Sequence, residues 1–209
     1  MFSMATENEM HINTTKKVLA FDADGVIVDF FQPFSRFVGE SIGREILISE
    51  LADQNFAKYF GIPPSQIKEI HYNFMWHGHY ENLPAIPGAI EALKKLIAVH
   101  DVQIVTGRIG GLVDVTKRWF NNHGLPLVIH HTSAKDNPVN SGENQRSKLQ
   151  CCKSIGASCL VEDNLHEFRD WDLAIKPIGF PCPWNAMLRV EMPHVEPMDW
   201  PKILDYYID

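Results

Sequence analysis

Lys17-Val18-Leu19-Ala20-Phe21-Asp22-Ala23-Asp24-Gly25-Val26 is the stretch on which the fold turns. A short apolar run ends abruptly in an aspartate, as expected of a strand buried on both faces of a parallel sheet. Residues 102–105, 127–130 and 158–161 read the same way, and 173–175 is a weaker fifth candidate. Helical patterns lie between them. Pro87 stands at the start of one, with Ile90, Leu93, Leu96 and Ile97 as its apolar stripe. Leu149, Cys152 and Ile155 form another, with Gly156 placed to end it. Strands alternating with helices predict an α/β fold, a doubly wound and mainly parallel sheet covered on both faces.

One stretch breaks the alternation. Residues 29–83 contain helical and aromatic-rich sequence punctuated by Gly39, Gly43 and Gly61, without a convincing buried strand. This predicts a small helical cap inserted after the first strand, returning through Pro84-Ala85-Ile86-Pro87. The core is then 16–28 with 84–209, and residues 1–15 are a flexible, polar N-terminal tail. The polar stretch 131–144 is a long loop of a kind that often carries function.

Asp22 and Asp24 follow the first strand directly. In an open α/β sheet, ligands collect beyond the carboxyl ends of the strands, so both should face that crevice. Neighbouring carboxylates repel and are costly to bury, and a divalent cation relieves both problems. Oxygen-only ligands suit Mg²⁺. A calcium loop is the competing reading, but its longer pattern of alternating acids is absent. Val105-Thr106-Gly107-Arg108 ends the second core strand, where a hydroxyl and backbone N–H groups can hold a phosphoryl oxygen. Lys148 opens the helix before the fourth strand, and Glu162-Asp163-Asn164 follows that strand. Taken singly, these last three are an ordinary turn, a surface lysine and a helix cap.

Composition excludes several classes. The formal net charge of −7, without a basic cluster, argues against a polymeric nucleic-acid partner. No apolar stretch approaches the roughly 20 residues that span a bilayer, so no membrane partner is expected. The 4 cysteines, Cys151, Cys152, Cys159 and Cys182, lack zinc-site spacing and read as reduced thiols of a cytoplasmic protein.

The order strand–DxDGV, helical insertion, strand–TG, Lys, strand–ED resembles the haloacid dehalogenase superfamily. The chain further resembles its deoxyribonucleotidase-like branch, through Tyr59-Phe60-Gly61-Ile62-Pro63-Pro64, Tyr80-Glu81-Asn82-Leu83-Pro84 and Pro183-Trp184-Asn185. The resemblance implies a Mg²⁺-dependent phosphomonoester hydrolase acting through an aspartyl-phosphate. Asp22 would be the nucleophile, and Asp24 the acid and base, its carbonyl also facing the metal. Thr106, Gly107 and Lys148 would bind phosphate, Asp163 would complete the metal site, and Glu162 would stand just behind it. An acid at Asp24 distinguishes such phosphatases from transport ATPases of the superfamily, which have threonine there. Glu162 departs from the commoner Gly or Asp, and Lys153 is a rival to Lys148 further along the helix.

The substrate implied is a small phosphorylated metabolite, a nucleoside monophosphate above a sugar phosphate or other small phosphomonoester. Phe30 would stack on the base, with Trp76 and Arg108 as further substrate contacts. Phe34 and Phe37 read instead as cap core. His71, His77 and His79 do not share one helix face and read as wet surface, or as a single substrate contact. A non-catalytic binding module on the same fold would be expected to lack one of Asp22, Asp24, Lys148 or Asp163, all of which are present.

Overall fold

The computed structural model describes residues 16–50, 56–132 and 146–208. The expected tail 1–15 and nearly all of the loop 131–144 fall outside the described residues.

In chain order the strands are β1 (Val18–Phe21), β2 (Asp101–Thr106), β3 (Val128–His131), β4 (Ala157–Glu162), β5 (Lys176–Gly179) and the two-residue β6 (Glu196–Pro197). They form one 6-stranded sheet in the order β3-β2-β1-β4-β5-β6, and every pair is parallel. The helices are α1 (Phe31–Ile42), α2 (Phe56–Phe60), α3 (Pro64–Trp76), α4 (Ala89–Val99), α5 (Val113–Asn122), α6 (Lys148–Ser154), α7 (Leu188–Glu191) and α8 (Trp200–Ile208).

Alternation along the strands sends side chains to both faces. Leu19, Phe21, Ile104, Cys159 and Val161 join one apolar cluster with α1, α4 and α8. Ala20, Val105 and Leu160 join a second cluster with Cys151 and Cys152 of α6, Phe168 and Trp171. This two-faced burial explains why β1 reads as an uninterrupted apolar run.

The expected fifth strand is displaced. Residues 173–175 form a turn in which Asp172 accepts the Ala174 N–H and Leu173 is exposed. The strand begins one residue later, as Lys176-Pro177-Ile178-Gly179 paired with β4. Proline and glycine in that segment disguise it, because neither favours a strand interior. Helix α4 likewise starts later than Pro87 suggests. Gly88 precedes it with φ +83°, a left-handed conformation that glycine adopts without penalty.

Between β1 and α4, the described residues hold helices, turns and isolated bridges at Val28 but no strand, joined to the rest through two crossing segments. Asp29 N–H donates to Pro84 O at 2.9 Å, and Ile86 N–H to Ile27 O at 2.8 Å. Trp119 Nε1–H donates to Leu83 O and Trp200 Nε1–H to Val26 O, so large core side chains tether the crossing on both sides.

Candidate active site

Parallel register brings the carboxyl ends of β1, β2 and β4 together: Phe21 lies beside Ile104 and Val161. Asp22 N–H continues the ladder to Val161 O at 2.9 Å, which fixes the residue after the strand. Beyond these ends lies a crevice of about 300 Å³ that Asp22, Asp24, Thr106, Gly107, Arg108, Lys148, Glu162 and Asp163 all line.

Asp22, Glu162 and Asp163 are buried, and each offers an oxygen within 4.8 Å of the others. Lys148 stands among them, its Nζ 3.0 Å from Asp22 Oδ1 and 2.5 Å from Glu162 Oε2. Asp22 Oδ1 is buried against that ammonium, which is its one ion-pair partner among the described residues. Ser147 and Gln150 form a reciprocal cap that starts α6 at Lys148. Side-chain and main-chain caps thus aim the lysine at the strand ends.

Electrostatics show how crowded the acids are. Burial, then the neighbouring Asp24, pushes Asp22 above the usual carboxyl value despite Lys148. Burial and Asp22 raise Glu162 well above its ordinary range and Asp163 to about 7. Burial works against the Lys148 ammonium, but Asp22 and Glu162 outweigh it and raise its pKa. Three buried carboxylates against one ammonium leave unbalanced negative charge, since Lys148 is shared between Asp22 and Glu162. These residues fit a divalent cation held by oxygen ligands.

Asp163 is held by residues whose role the sequence did not reveal. Trp184 Nε1–H donates to Asp163 Oδ2 at 2.8 Å, and Asn185 Nδ2–H donates to Asp163 O at 2.8 Å. The Pro183-Trp184-Asn185 motif therefore braces the end of β4, a signal visible only as part of a resemblance. Glu167, also not singled out, lines the mouth of the crevice.

The remaining candidates separate clearly. Thr106 is buried at the end of β2, and its Oγ1 accepts the Arg108 N–H. Arg108 is buried and engages Asp24 through Nε–H to Oδ2 at 2.8 Å and Nη2–H to Oδ1 at 2.6 Å. The Asp24 side chain is thereby turned to Arg108, outside the cluster of Asp22, Glu162 and Asp163. Glu162, expected behind the metal, stands in that cluster. Lys153 is at the surface, paired with Asp172, away from the strand ends.

Phe30 lines the crevice, yet it is only 8% exposed and stacks on Phe34 and Tyr80 with centroids 4.9 and 5.6 Å apart. It is wall and core together. Trp76 does not reach the crevice: it ends α3 with 77% of its surface exposed. Its place on the outer helix face could not be told from residue type, since aromatic spacing alone does not separate buried from exposed faces. Tyr80 and His71 take the place expected of it. Tyr80 and the His71 Nε2 lie in hydrogen-bond contact at 2.7 Å, and both line the crevice. A second hollow of about 310 Å³ continues outward from Phe30 and His71 to Phe34, Ile67 and Tyr72. His79 instead stacks on Phe74, and the acidic cluster is the one metal-capable group among the described residues.

Comparison with known proteins agrees with this fold. A Streptococcus pneumoniae hydrolase of the haloacid dehalogenase-like family superposes with TM-score 0.64 at 14% identity, over 92% of this chain and 98% of that one. A conserved haloacid dehalogenase-like protein of unknown function from Agrobacterium tumefaciens gives TM-score 0.64 at 17% identity, over 93% and 98%. At these identities the likeness establishes the fold. A Halalkalibacterium halodurans protein named "Putative nucleotidase" is 24% identical over 119 residues, 56% of this chain. That alignment spans only 57% of the relative's own length. The sequence family described as 5' nucleotidase, deoxy (pyrimidine), cytosolic type C protein matches residues 16–135, more than half of the chain. The chain belongs to that nucleotidase family, on a haloacid dehalogenase-like fold.

Proposed function

We infer that the protein is a divalent-metal-dependent phosphomonoester hydrolase whose substrate is a nucleoside monophosphate. The observation that carries this reading is Lys148 among Asp22, Glu162 and Asp163 at the carboxyl ends of three parallel strands. Phosphoryl transfer asks for positioning and charge stabilisation, which such a cluster supplies.

Asp22 is the nucleophile: its carboxylate attacks phosphorus, and the bond to the leaving oxygen breaks. Asp24 gives that oxygen a proton and then takes one from the water that releases phosphate from Asp22. Lys148, Thr106 and the Gly107 backbone hold the phosphoryl oxygens. Asp22, Asp163 and Glu162 would hold Mg²⁺, with the Asp24 carbonyl nearby, and the bound ion would neutralise charge on the phosphoryl group. Arg108 adjoins the leaving group.

Residues 29–83 act as a cap over a core of 16–28 and 84–209. Phe30, with Tyr80 and the outer hollow, forms the wall on which a base would lie, and stacking of this kind contributes about 1–3 kcal/mol. The matched family's pyrimidine nucleotide supports this choice over a sugar phosphate. The family description and four free, buried cysteines support a cytoplasmic location. No helix among the described residues is long and apolar enough to cross a membrane.

Phosphate release from a panel of nucleoside monophosphates and sugar phosphates, with Mg²⁺ and with chelator, tests the reading. Mg²⁺-dependent release that favours nucleotides is the expected result. Release favouring sugar phosphates would remove the nucleotide assignment, and no release from any ester would remove the hydrolase.

A further inference from the structure

Arg108 is held from every side. Its N–H donates to Thr106 Oγ1 at 3.2 Å, and its carbonyl oxygen lies 3.1 Å from His131 Nδ1. Its Nη1–H donates to Thr116 Oγ1 at 3.1 Å, while the Thr116 hydroxyl donates to Leu112 O at 2.7 Å. That second bond uses the threonine proton and leaves the Oγ1 lone pair facing the arginine. The guanidinium carbon lies 5.0 Å from the centroid of the Tyr80 ring. A planar cation fixed in this way presents a two-pronged donor face, and Asp24 accepts both prongs.

We propose that Arg108 is a positioning residue that orients the Asp24 carboxylate for proton transfer, with Thr116 and Tyr80 setting the plane of its guanidinium. The proposal rests on the hydrolase reading above, in which Asp24 moves the protons. In the first step a bond forms between Asp22 and phosphorus, the ester bond breaks, and the leaving oxygen takes the Asp24 proton. In the second, water oxygen bonds to phosphorus, the Asp22–phosphorus bond breaks, and the water proton returns to Asp24. The sum is ester plus water giving alcohol plus phosphate.

Asp24 needs its orientation most in the second step, where water is a poor nucleophile. The forked Nε–H and Nη2–H face of Arg108 is not offered to phosphate in this arrangement. Its paired donors are spent on Asp24, and the strand-end face carries Lys148 for the phosphoryl group. Thr116 does not line the crevice, so it acts only through what it holds.

An aryl ester with a good leaving group separates the steps, because its departure needs no proton. With 4-nitrophenyl phosphate and Mg²⁺, Arg108→Gln should give a burst of nitrophenolate followed by slow turnover, with phosphoenzyme accumulating in acid-quenched samples. General acid–base catalysis is worth on the order of 10²-fold or more, and the steady-state loss should approach that. Arg108→Lys keeps the charge but loses the fork, so it should remain defective. Thr116→Val should shift the same partition by a smaller factor, and it carries the test where Arg108→Gln melts early.

Binding of beryllium fluoride with Mg²⁺ should persist in all three variants. Loss of that binding in folded Arg108→Gln would make Arg108 a phosphoryl ligand and overturn the proposal. An unchanged burst and steady state in both Arg108→Gln and Thr116→Val would overturn it as well. Absence of phosphoenzyme and of turnover in the unaltered protein would instead overturn the hydrolase reading on which it stands.

Discussion

Gly25 packs so closely on Asp163 that a Cβ at residue 25 would stand 2.6 Å from both Cγ and Oδ2 of that aspartate. The glycine also has φ +79°, where an L side chain costs about 1–2 kcal/mol. Gly25→Ala should therefore strain the turn and push Asp163 off its Trp184 bond. The expected outcome is a lowered melting temperature with a larger fractional loss of Mg²⁺ affinity. Calorimetric Mg²⁺ titration of the folded variant checks it.

Lys148 and Lys153 share a helix but not a fate. Lys148 is buried between Asp22 and Glu162, and removing one partner of a buried ion pair costs about 3–5 kcal/mol. Lys148→Met should destabilise the metal-free protein by that order and abolish turnover. Lys153→Met touches only an exposed pair with Asp172 and should cost at most about 1 kcal/mol, with turnover unchanged. Denaturant melts and phosphate release on the two variants separate them.

Much of this architecture is legible in the residues, and the gaps have physical causes. β1, β2 and β4 announce themselves because both faces are buried, so Leu19, Ala20 and Phe21 are all apolar. β5 hides because Pro177 and Gly179 disguise it, and β6 because two residues have no pattern. Asp22, Lys148 and Asp163 are readable since each adjoins a strand end or opens a helix. The Trp184 and Asn185 brace joins side chains 21 and 22 positions from Asp163, beyond any local period. The Arg108 grip on Asp24 spans 84 positions and is equally invisible until the strands are in register.

Phe30 is both core and wall, and that sharpens what its removal should do. Phe30→Ala should cost about 3–5 kcal/mol of stability, as deletion of a buried ring does. Turnover of a nucleotide should fall roughly five- to more than hundred-fold relative to 4-nitrophenyl phosphate, from about 1–3 kcal/mol of lost stacking. Trp76→Ala, far out on α3, should change neither ratio. Paired kinetics at a temperature where both variants are folded decide the matter. An equal loss on both substrates would leave Phe30 as core alone.

Burial and Asp22 raise Asp163 to about 7 from an ordinary 3.8, so folding takes up protons across that interval. The stability that this group gives the metal-free protein is full below the lower value and is lost as pH rises through about 7. A cation needs the ionised carboxylates, so its stabilisation should grow over the same window. The rise in melting temperature on adding Mg²⁺ should be larger at pH 8 than at pH 5.5. A shift independent of pH would contradict the assignment of Asp163 as a ligand.

In the proposed reaction phosphorus passes through Asp22. Brief incubation with a radiolabelled phosphomonoester and Mg²⁺, acid quenching, borohydride reduction of the acyl phosphate and peptide mapping test it most directly. The expected outcome is acid-stable, hydroxylamine-labile label, reduction at Asp22, and neither label nor turnover in Asp22→Asn. Label at another residue, or near-normal turnover in that variant, would contradict it.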